Sequence, residues 1–397
     1  MCGVCLRLTI LAVPPVIAII QKDLNLSGTQ IGLLAGIPIV MFAIFAAPGS
    51  IVIARMGVRG ALVGALAVAA AGTLVRTGVS NAWQLYLTSA LMSVGVAIMQ
   101  PAMTAAVREW AQQRSAFGTA VYTNGLIFGE IIPVATMLSL VLPYYGGNWR
   151  PALGVWALFL ILTAVAVAMF APKSAKNAVA IATARLLPQW NSRLGWRIGL
   201  TLGSVTSTYF CLNGFLPAYL NANGHQELIG QALTALNAGQ LPASFLLLLL
   251  ADRLQGKRWP YLALGALFCA CVIGVMSTAS MWTVFWAGLA GFSCGAALPL
   301  ALALAPLLCD NANDVAPTSA AAFAIGYGFG MLVSLIAGAA WDLAGNAGAA
   351  LIPILLGCIP ILIAAPKFTR RGNSGHSFNS EGRRRSCNSL PPVRRSR

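Results

Sequence analysis

Ala251-Asp252-Arg253-Leu254-Gln255-Gly256-Lys257-Arg258 stands between two long apolar runs. Gly49-Ser50-Ile51-Val52-Ile53-Ala54-Arg55-Met56-Gly57-Val58-Arg59 stands between two others, with Arg55 lying 198 residues before Arg253. Each is a short basic interruption, holding a glycine, in a stretch otherwise almost free of charge. Lys and Arg flanking membrane-spanning runs are retained on the cytoplasmic side. The pair therefore predicts two membrane hairpins related by a repeat of the chain. A second landmark keeps the interval, since Thr29-Gln30-Ile31-Gly32 precedes Glu227-Leu228-Ile229-Gly230 by the same 198 residues.

Outward from these loops the whole chain follows suit. Of 397 residues, 58% are apolar and 9% charged, and the mean hydropathy is +0.79. Soluble domains carry about 25% charged residues, so a soluble enzyme is excluded. Disorder is excluded by the apolar content. Apolar runs of spanning length recur twelve times, at 1–21, 30–54, 60–80, 82–106, 115–142, 151–171, 196–221, 228–252, 259–278, 281–304, 316–341 and 346–366. We refer to them as spans one to twelve. They predict an all-α integral membrane protein built as two pseudo-symmetric six-helix bundles, 1–171 and 196–366. A cytoplasmic linker, 172–195, joins them, and a basic disordered tail, 367–397, follows.

Placement of charge orients the chain. Loops after even-numbered spans hold Arg55, Arg59, Arg108, Arg114, Lys173, Lys176, Arg185, Arg193, Arg197, Arg253, Lys257 and Arg258, while those after odd-numbered spans hold Lys22, Arg76 and Arg150. Both termini are expected in the cytoplasm, in a bacterial-type inner (plasma) membrane. The net charge of +16 is thus topology plus tail rather than a nucleic-acid surface. No nucleic-acid partner is expected, and Arg383-Arg384-Arg385 reads as part of a solvated tail. The first run has no basic leader or small-residue cleavage site. It is interrupted by Pro14-Pro15, and a first helix shortened at its N-terminus is expected. Cys2 and Cys5 lack the second pair a zinc site needs. With His225 and His376 the only histidines, neither metal nor cofactor is expected.

The two opening loops resemble the G-x-x-x-D-R-x-G-R-K loop of the major facilitator superfamily, with Asp252 matching its acidic member and Ala54 departing from it. A finer resemblance, to the cyanate permease branch that includes nitroimidazole transporters, runs through Leu6-Arg7-Leu8, Pro14-Pro15, Ile31-Gly32-Leu33-Leu34 and Ile37-Pro38. It continues through Met99-Gln100-Pro101, Phe215-Leu216-Pro217, Gly326-Tyr327, Gly338 and Trp341-Asp342. The resemblance implies a twelve-helix carrier working by alternating access, with Arg55, Arg59, Asp252, Arg253 and Lys257 in gating loops. The alternative for these residues is plain retention of basic loops in the cytoplasm.

Charges inside spans carry the functional reading, because intramembrane ionisable groups are costly. Arg7 lies fifteen residues before Lys22, about 22 Å along a helix. Its planar fork suits a small carboxylate-like or cyanate-like anion; the alternative is snorkelling to the interface. Glu130 in span five either carries a coupling proton or neutralises Arg7. Gln100, Tyr122, Asn124, Asn213, Gln240 and Tyr327, with Tyr209 and Asn237 as further neutral polar residues, line a pathway or bond between helices. Arg76 is expected to anchor the outer interface, and Arg150 and Asp342 to act as loop or capping charges. The pairs Gly32/Gly36, Gly125/Gly129, Gly199/Gly203 and Gly291/Gly295 read as close helix packing.

The expected function is secondary transport of a small anionic solute by a monomer in the lipid bilayer, driven by a solute gradient or by a coupling proton. A proton-coupled drug exporter of the same fold and a non-transporting membrane sensor or scaffold are the alternatives. No catalytic constellation is legible, so an enzyme is not expected.

Overall fold

The computed structural model describes residues 1–111, 114–172, 190–254, 257–278, 280–309 and 311–365. Most of the predicted linker, the tail from 366 onward, and the side chains of Ala251 and Asp252 lie outside the described residues.

Each predicted span is helical, and its breaks have local causes. Span one is Cys2–Leu11, a tight turn at Pro14–Val16, then Ile17–Leu24. Two successive prolines remove two backbone donors and force the break. Spans two and three run as Gly28–Val75, redirected at Gly57, whose φ of 71° and ψ of 168° suit glycine alone. Span four is Ala82–Trp110, and span five is Ser115–Thr136 extended by Met137–Val141 and Leu142–Tyr144. Span six is Trp149–Gly154 with Trp156–Phe170. Span seven is Arg193–Ala222, and span eight is Ile229–Ala238 with Gln240–Leu254. Trp259–Ser277, Met281–Leu302, Ala312–Ala344 and the pieces Leu351–Gly357 and Ile359–Ala364 complete the set.

Among the described residues, ten segments are long and apolar enough to cross a membrane, and those of spans seven and eight are not among them. Span seven shows why. Thr201, Ser204, Thr206, Ser207, Thr208, Tyr209 and Asn213 are buried, as is every residue from Ile198 to Leu220 except the half-buried Leu200. A helix enclosed by protein on all sides can carry hydroxyls and amides that lipid would not tolerate. Span six is the opposite case, with Leu158, Ile161, Leu162, Val165 and Met169 exposed along one side, the face of a lipid-covered helix.

Small residues set the helix spacing. Gly32 and Gly36 lie against Ser334 and Met331, Gly125 and Gly129 against Gly3 and Val4, Gly199 and Gly203 against Ile325 and Phe329, and Gly291 and Gly295 against Leu236 and Gln240. Each pair has a member that meets a neighbouring backbone, as the spacing predicts, while Gly36 and Gly203 make room for the Met331 and Phe329 side chains.

We call the end bearing the loops after odd-numbered spans the odd-loop end. There the Asp342 carboxylate accepts from the Gly28 amide at 2.5 Å and from the Thr29 amide at 2.8 Å. It caps a helix of the other half, where exposed amides and the helix dipole favour an anion. The Ser334 hydroxyl donates to the Gly32 carbonyl at 2.8 Å, and the Phe42 and Tyr327 rings meet at 5.9 Å deeper in the bundle. Arg150 ties this end together within the first half. It pairs with Asp23 at 2.9 Å, donates to the Val79 carbonyl at 2.8 Å and stacks on Trp149 at 4.5 Å.

Candidate solute and proton site

Close packing of spans one and five creates the site. A Cβ on Gly129 would overlap the Val4 carbonyl, and one on Gly3 would overlap that of Tyr122. Glycine at both positions lets the two helices touch, and the next residue, Glu130, then faces Arg7. The Arg7 Nε lies 3.3 Å from the Glu130 Oε1. Arg7 is 8% exposed and Glu130 2%, so the pair is withdrawn from water.

The other half of the chain reaches the pair through Gln240. Its amide donates to the Glu130 Oε2 at 2.5 Å. The Tyr209 hydroxyl also reaches Glu130 and donates to the Asn237 Oδ1 at 2.7 Å. The Asn237 amide donates in turn to the Asn213 Oδ1 at 3.0 Å. A continuous chain of buried polar groups thus runs from Arg7 on span one to Asn213 on span seven. Two aromatic faces enclose the guanidinium, Phe42 at 5.5 Å and Phe210 at 5.3 Å. Stacking of this kind holds a desolvated Arg by about 0.5–2 kcal/mol per ring. The Arg7 Nη1 is buried and has no hydrogen-bond partner among the described residues. Tyr327, hydrogen-bonded to Gln100, lies within electrostatic range of Arg7.

The arrangement offers a planar donor with an unused nitrogen, two flat apolar walls and an adjacent carboxylate. It can hold a small planar acceptor. It can also exchange the Arg7–Glu130 contact for one to a solute.

Comparison with known proteins gives the family. The model of the Major Facilitator Superfamily matches residues 1–226, more than half of the chain. The chain belongs to that superfamily. The transporter YycB of Bacillus subtilis (strain 168) is 24% identical over 393 residues, covering 96% of this chain and 94% of the relative. The 2-nitroimidazole transporter of Escherichia coli (strain K12) is 26% identical over 329 residues, covering 81% of each chain. The cyanate transport protein CynX of the same organism is 24% identical over 304 residues, covering 76% of this chain and 78% of the relative. Among solved structures, a D-xylose-proton symporter superposes with a TM-score of 0.71 at 13% identity, covering 93% of this chain and 96% of that one. The likeness supports the twelve-helix superfamily fold. The protein is therefore a multi-pass membrane transporter of a small molecule and not an enzyme.

Of the residues expected in gating loops, Arg59 donates to the Ala168 carbonyl near the end of span six, a cation at a helix C-terminus. Arg55, Arg253 and Lys257 are exposed. Tyr122 and Asn124 are half-buried on span five. The Asn124 amide donates to the Ala120 carbonyl of its own helix at 2.9 Å, and the described hydrogen bonds do not bring it into the Arg7 cluster.

Arg76 departs from its expected place. It is 1% exposed, turned inward rather than anchored at the interface. The signal was present in the spacing. Ala65, Ala69, Gly72 and Arg76 recur at helical intervals on one face, and a Cβ on Gly72 would meet Met92 while Gly95 packs against Ala69. Small residues at that spacing mark a packed face, and Arg76 continues it. Phe42 and Phe210 were also missed, because aromatic residues in apolar runs carry no mark distinguishing a cation's wall from ordinary core.

Proposed function

We propose that the protein is a secondary carrier of a small monovalent anion, with Arg7 as its anion contact and Glu130 as its proton site. The observation that carries this reading is the buried Arg7–Glu130 pair, bridged to the opposite half by Gln240. Arg7 and Glu130 together are neutral. An anion arriving at Arg7 leaves the cluster with one excess negative charge in a low-dielectric interior, and one proton on Glu130 restores neutrality. Proton and anion thus travel together. Relatives named for cyanate and 2-nitroimidazole transport point to solutes of this size. Gln100 and Tyr327 would complete the solute's hydrogen bonds, and Arg55, Arg59, Asp252, Arg253 and Lys257 would gate the opposite end.

On the charge pattern, the odd-loop end faces outward and both termini face the cytoplasm of a bacterial inner membrane. Residues 1–171 and 196–366 act as the two rocking bundles within a single chain, joined by 172–195 and followed by the 367–397 tail.

The test is uptake into proteoliposomes across a panel of cyanate, formate, nitrate and acetate, with and without an imposed pH gradient. Uptake of an anion that is accelerated by an inward proton gradient, and abolished in Arg7→Gln with protein levels unchanged, supports the reading. Gradient-independent uptake, or full uptake by Arg7→Gln, refutes it. One observation favours a second reading. The Phe42 and Phe210 faces around Arg7 also suit an uncharged planar nitro-aromatic, its nitro oxygens on the guanidinium. Proton-driven efflux of such a compound, with no anion uptake, would select that alternative.

A further inference from the structure

On the odd-loop side of Arg7 lies an apolar cavity between the two halves. Span one lines it from Ile10 to Ile17, span two from Ile31 to Pro38, and span seven through Phe210, Asn213 and Gly214. Arg76 and Ser89 are its conspicuous polar members. Arg76 is 1% exposed, and its Nε, Nη1 and Nη2 all lack a hydrogen-bond partner among the described residues. Ser89 is 2% exposed and its hydroxyl is likewise without a partner. Asn213 gives one amide hydrogen to the Tyr209 carbonyl at 2.9 Å and keeps a second.

A guanidinium cannot shed its charge in a protein, and burying it without a counter-charge is strongly disfavoured. The carboxylates described at this end are engaged elsewhere. Asp23 holds Arg150 and the Trp149 indole, Asp342 holds the Gly28 and Thr29 amides, and Glu227 faces His225. Three unused donors of Arg76, the Ser89 hydroxyl and the spare Asn213 hydrogen therefore border one apolar chamber.

We infer that this chamber is a second anion site, distinct from Arg7, which takes an organic monocarboxylate with an apolar body. The carboxylate lies in the fork of Arg76, which matches two oxygens at once, with Ser89 and Asn213 as additional donors. Isoleucine, leucine, proline and methionine walls receive the apolar body; a hydrated inorganic ion would gain nothing from them. Phe210 lines the chamber and also stacks on Arg7 at 5.3 Å. The two sites share one ring as their partition, and Asn213 belongs to the polar chain that ends at Glu130. A carboxylate at Arg76 thus sits one ring from the transport site, on the path to the odd-loop end. The inference goes beyond the reading of Arg7 and does not depend on it.

The full-length protein purified in detergent is the test material, with benzoate as probe and benzamide as its uncharged isostere. Radiolabelled benzoate binding and thermal unfolding are read together. Wild type is expected to bind benzoate and to unfold at a higher temperature in its presence, with no rise from benzamide. Arg76→Met is expected to bind at least tenfold more weakly, to lose the benzoate-dependent rise and, without ligand, to unfold no earlier than wild type. That last result separates a ligand site from a structural arginine, whose loss would lower stability. Arg76→Lys should recover part of the binding, and Arg7→Gln should retain it. Wild type that ignores benzoate, or Arg76→Met that binds it unchanged, overturns the inference. So does tenfold loss in both Arg76→Met and Arg7→Gln, which would mean a single shared site. Should Arg76→Met fail to fold, Ser89→Val decides. At least threefold weaker binding upholds the site, and unchanged binding overturns it. Because Arg7→Gln is scored separately for uptake, failure of the transport reading and failure of this one appear in different variants.

Discussion

Removing the charge of Glu130 while keeping its shape is the most direct probe of the buried pair. At 3.3 Å, two unit charges attract by about 5 kcal/mol in an effective dielectric of about 20. Glu130→Gln forfeits that attraction and leaves Arg7, 8% exposed, without a counter-ion. Losing one partner of a buried pair costs about 3–5 kcal/mol. The glutamine carbonyl still accepts from the Arg7 Nε, and the Phe42 and Phe210 faces still hold the cation, so the lower limit applies. The expected loss is about 3 kcal/mol, a large part of the roughly 5–15 kcal/mol that keeps a protein folded. Replacing Arg7 as well, in Arg7→Met with Glu130→Gln, removes the stranded charge. The double variant should be about 2 kcal/mol more stable than the sum of the single losses, within the coupling range for touching residues. SDS titration of the purified protein in mixed micelles, followed by the fluorescence of its ten tryptophans, measures all four stabilities. A loss below about 0.5 kcal/mol for Glu130→Gln, together with strictly additive single losses, would refute the claim that the pair neutralises itself away from water.

Three further outcomes follow from the packing, the cap and the charge pattern. Gly129→Ala places a methyl on the Val4 carbonyl and should cost about 1–3 kcal/mol as overpacking does, read as a lower melting temperature by size exclusion after heating; unchanged melting would show that spans one and five can part freely. Asp342→Ala removes one of two caps on the helix of span two, the Ser27 hydroxyl being the other, and should weaken the odd-loop closure by about 1 kcal/mol, seen as faster maleimide labelling of a Leu34→Cys reporter at a buried position; labelling at the parental rate would deny Asp342 a role in closure. A reporter fused after Ala365 that is active only in the cytoplasm should be active, as the loop charges require, and a silent, well-expressed fusion would invert the topology.

Much of the fold is legible in the sequence because a bilayer forces backbone groups to be satisfied within each span, leaving helix length and loop charge as the readable variables. The glycine pairs are legible for a related reason, since close approach requires small residues at four-residue spacing. Arg7 and Glu130 stand out as charges in apolar runs, though their distance apart does not. Nothing local to span one says which side of span five it will touch until Gly3, Gly125 and Gly129 are placed against each other. The position of Arg76 in the sequence points it to the interface. A residue near a span's end is usually free to reach the interface, but the small-residue face it shares with Ala69 and Gly72 turns it inward. Span seven reads as an apolar run in the sequence, yet its buried hydroxyls and amides make it the polar centre of the protein.

The placement of these groups on the two halves limits how a proposed transport cycle can run. Arg7 and Glu130 both belong to the first half, so their pairing can survive a rocking motion of one half against the other. Gln240 belongs to the second half, and its 2.5 Å bond to Glu130 cannot survive if spans five and eight separate. The same motion would strip the Gly28 and Thr29 amides from Asp342 at the odd-loop end. Opening toward that end therefore carries polar losses at two depths, first at the rim, where Ser334 also leaves Gly32 and water repairs the loss, and second at Glu130, whose contacts with Gln240 and Tyr209 are buried. A proton on Glu130 lowers the second loss, since a neutral acid gives up a hydrogen bond more cheaply than a carboxylate does. In the proposed cycle protonation thus has two consequences from one group: it balances the anion at Arg7, and it loosens the bond between the halves. A carrier built this way would open toward that end most readily with anion and proton both bound, the state in which the site is neutral and the carboxylate's hold on Gln240 is released.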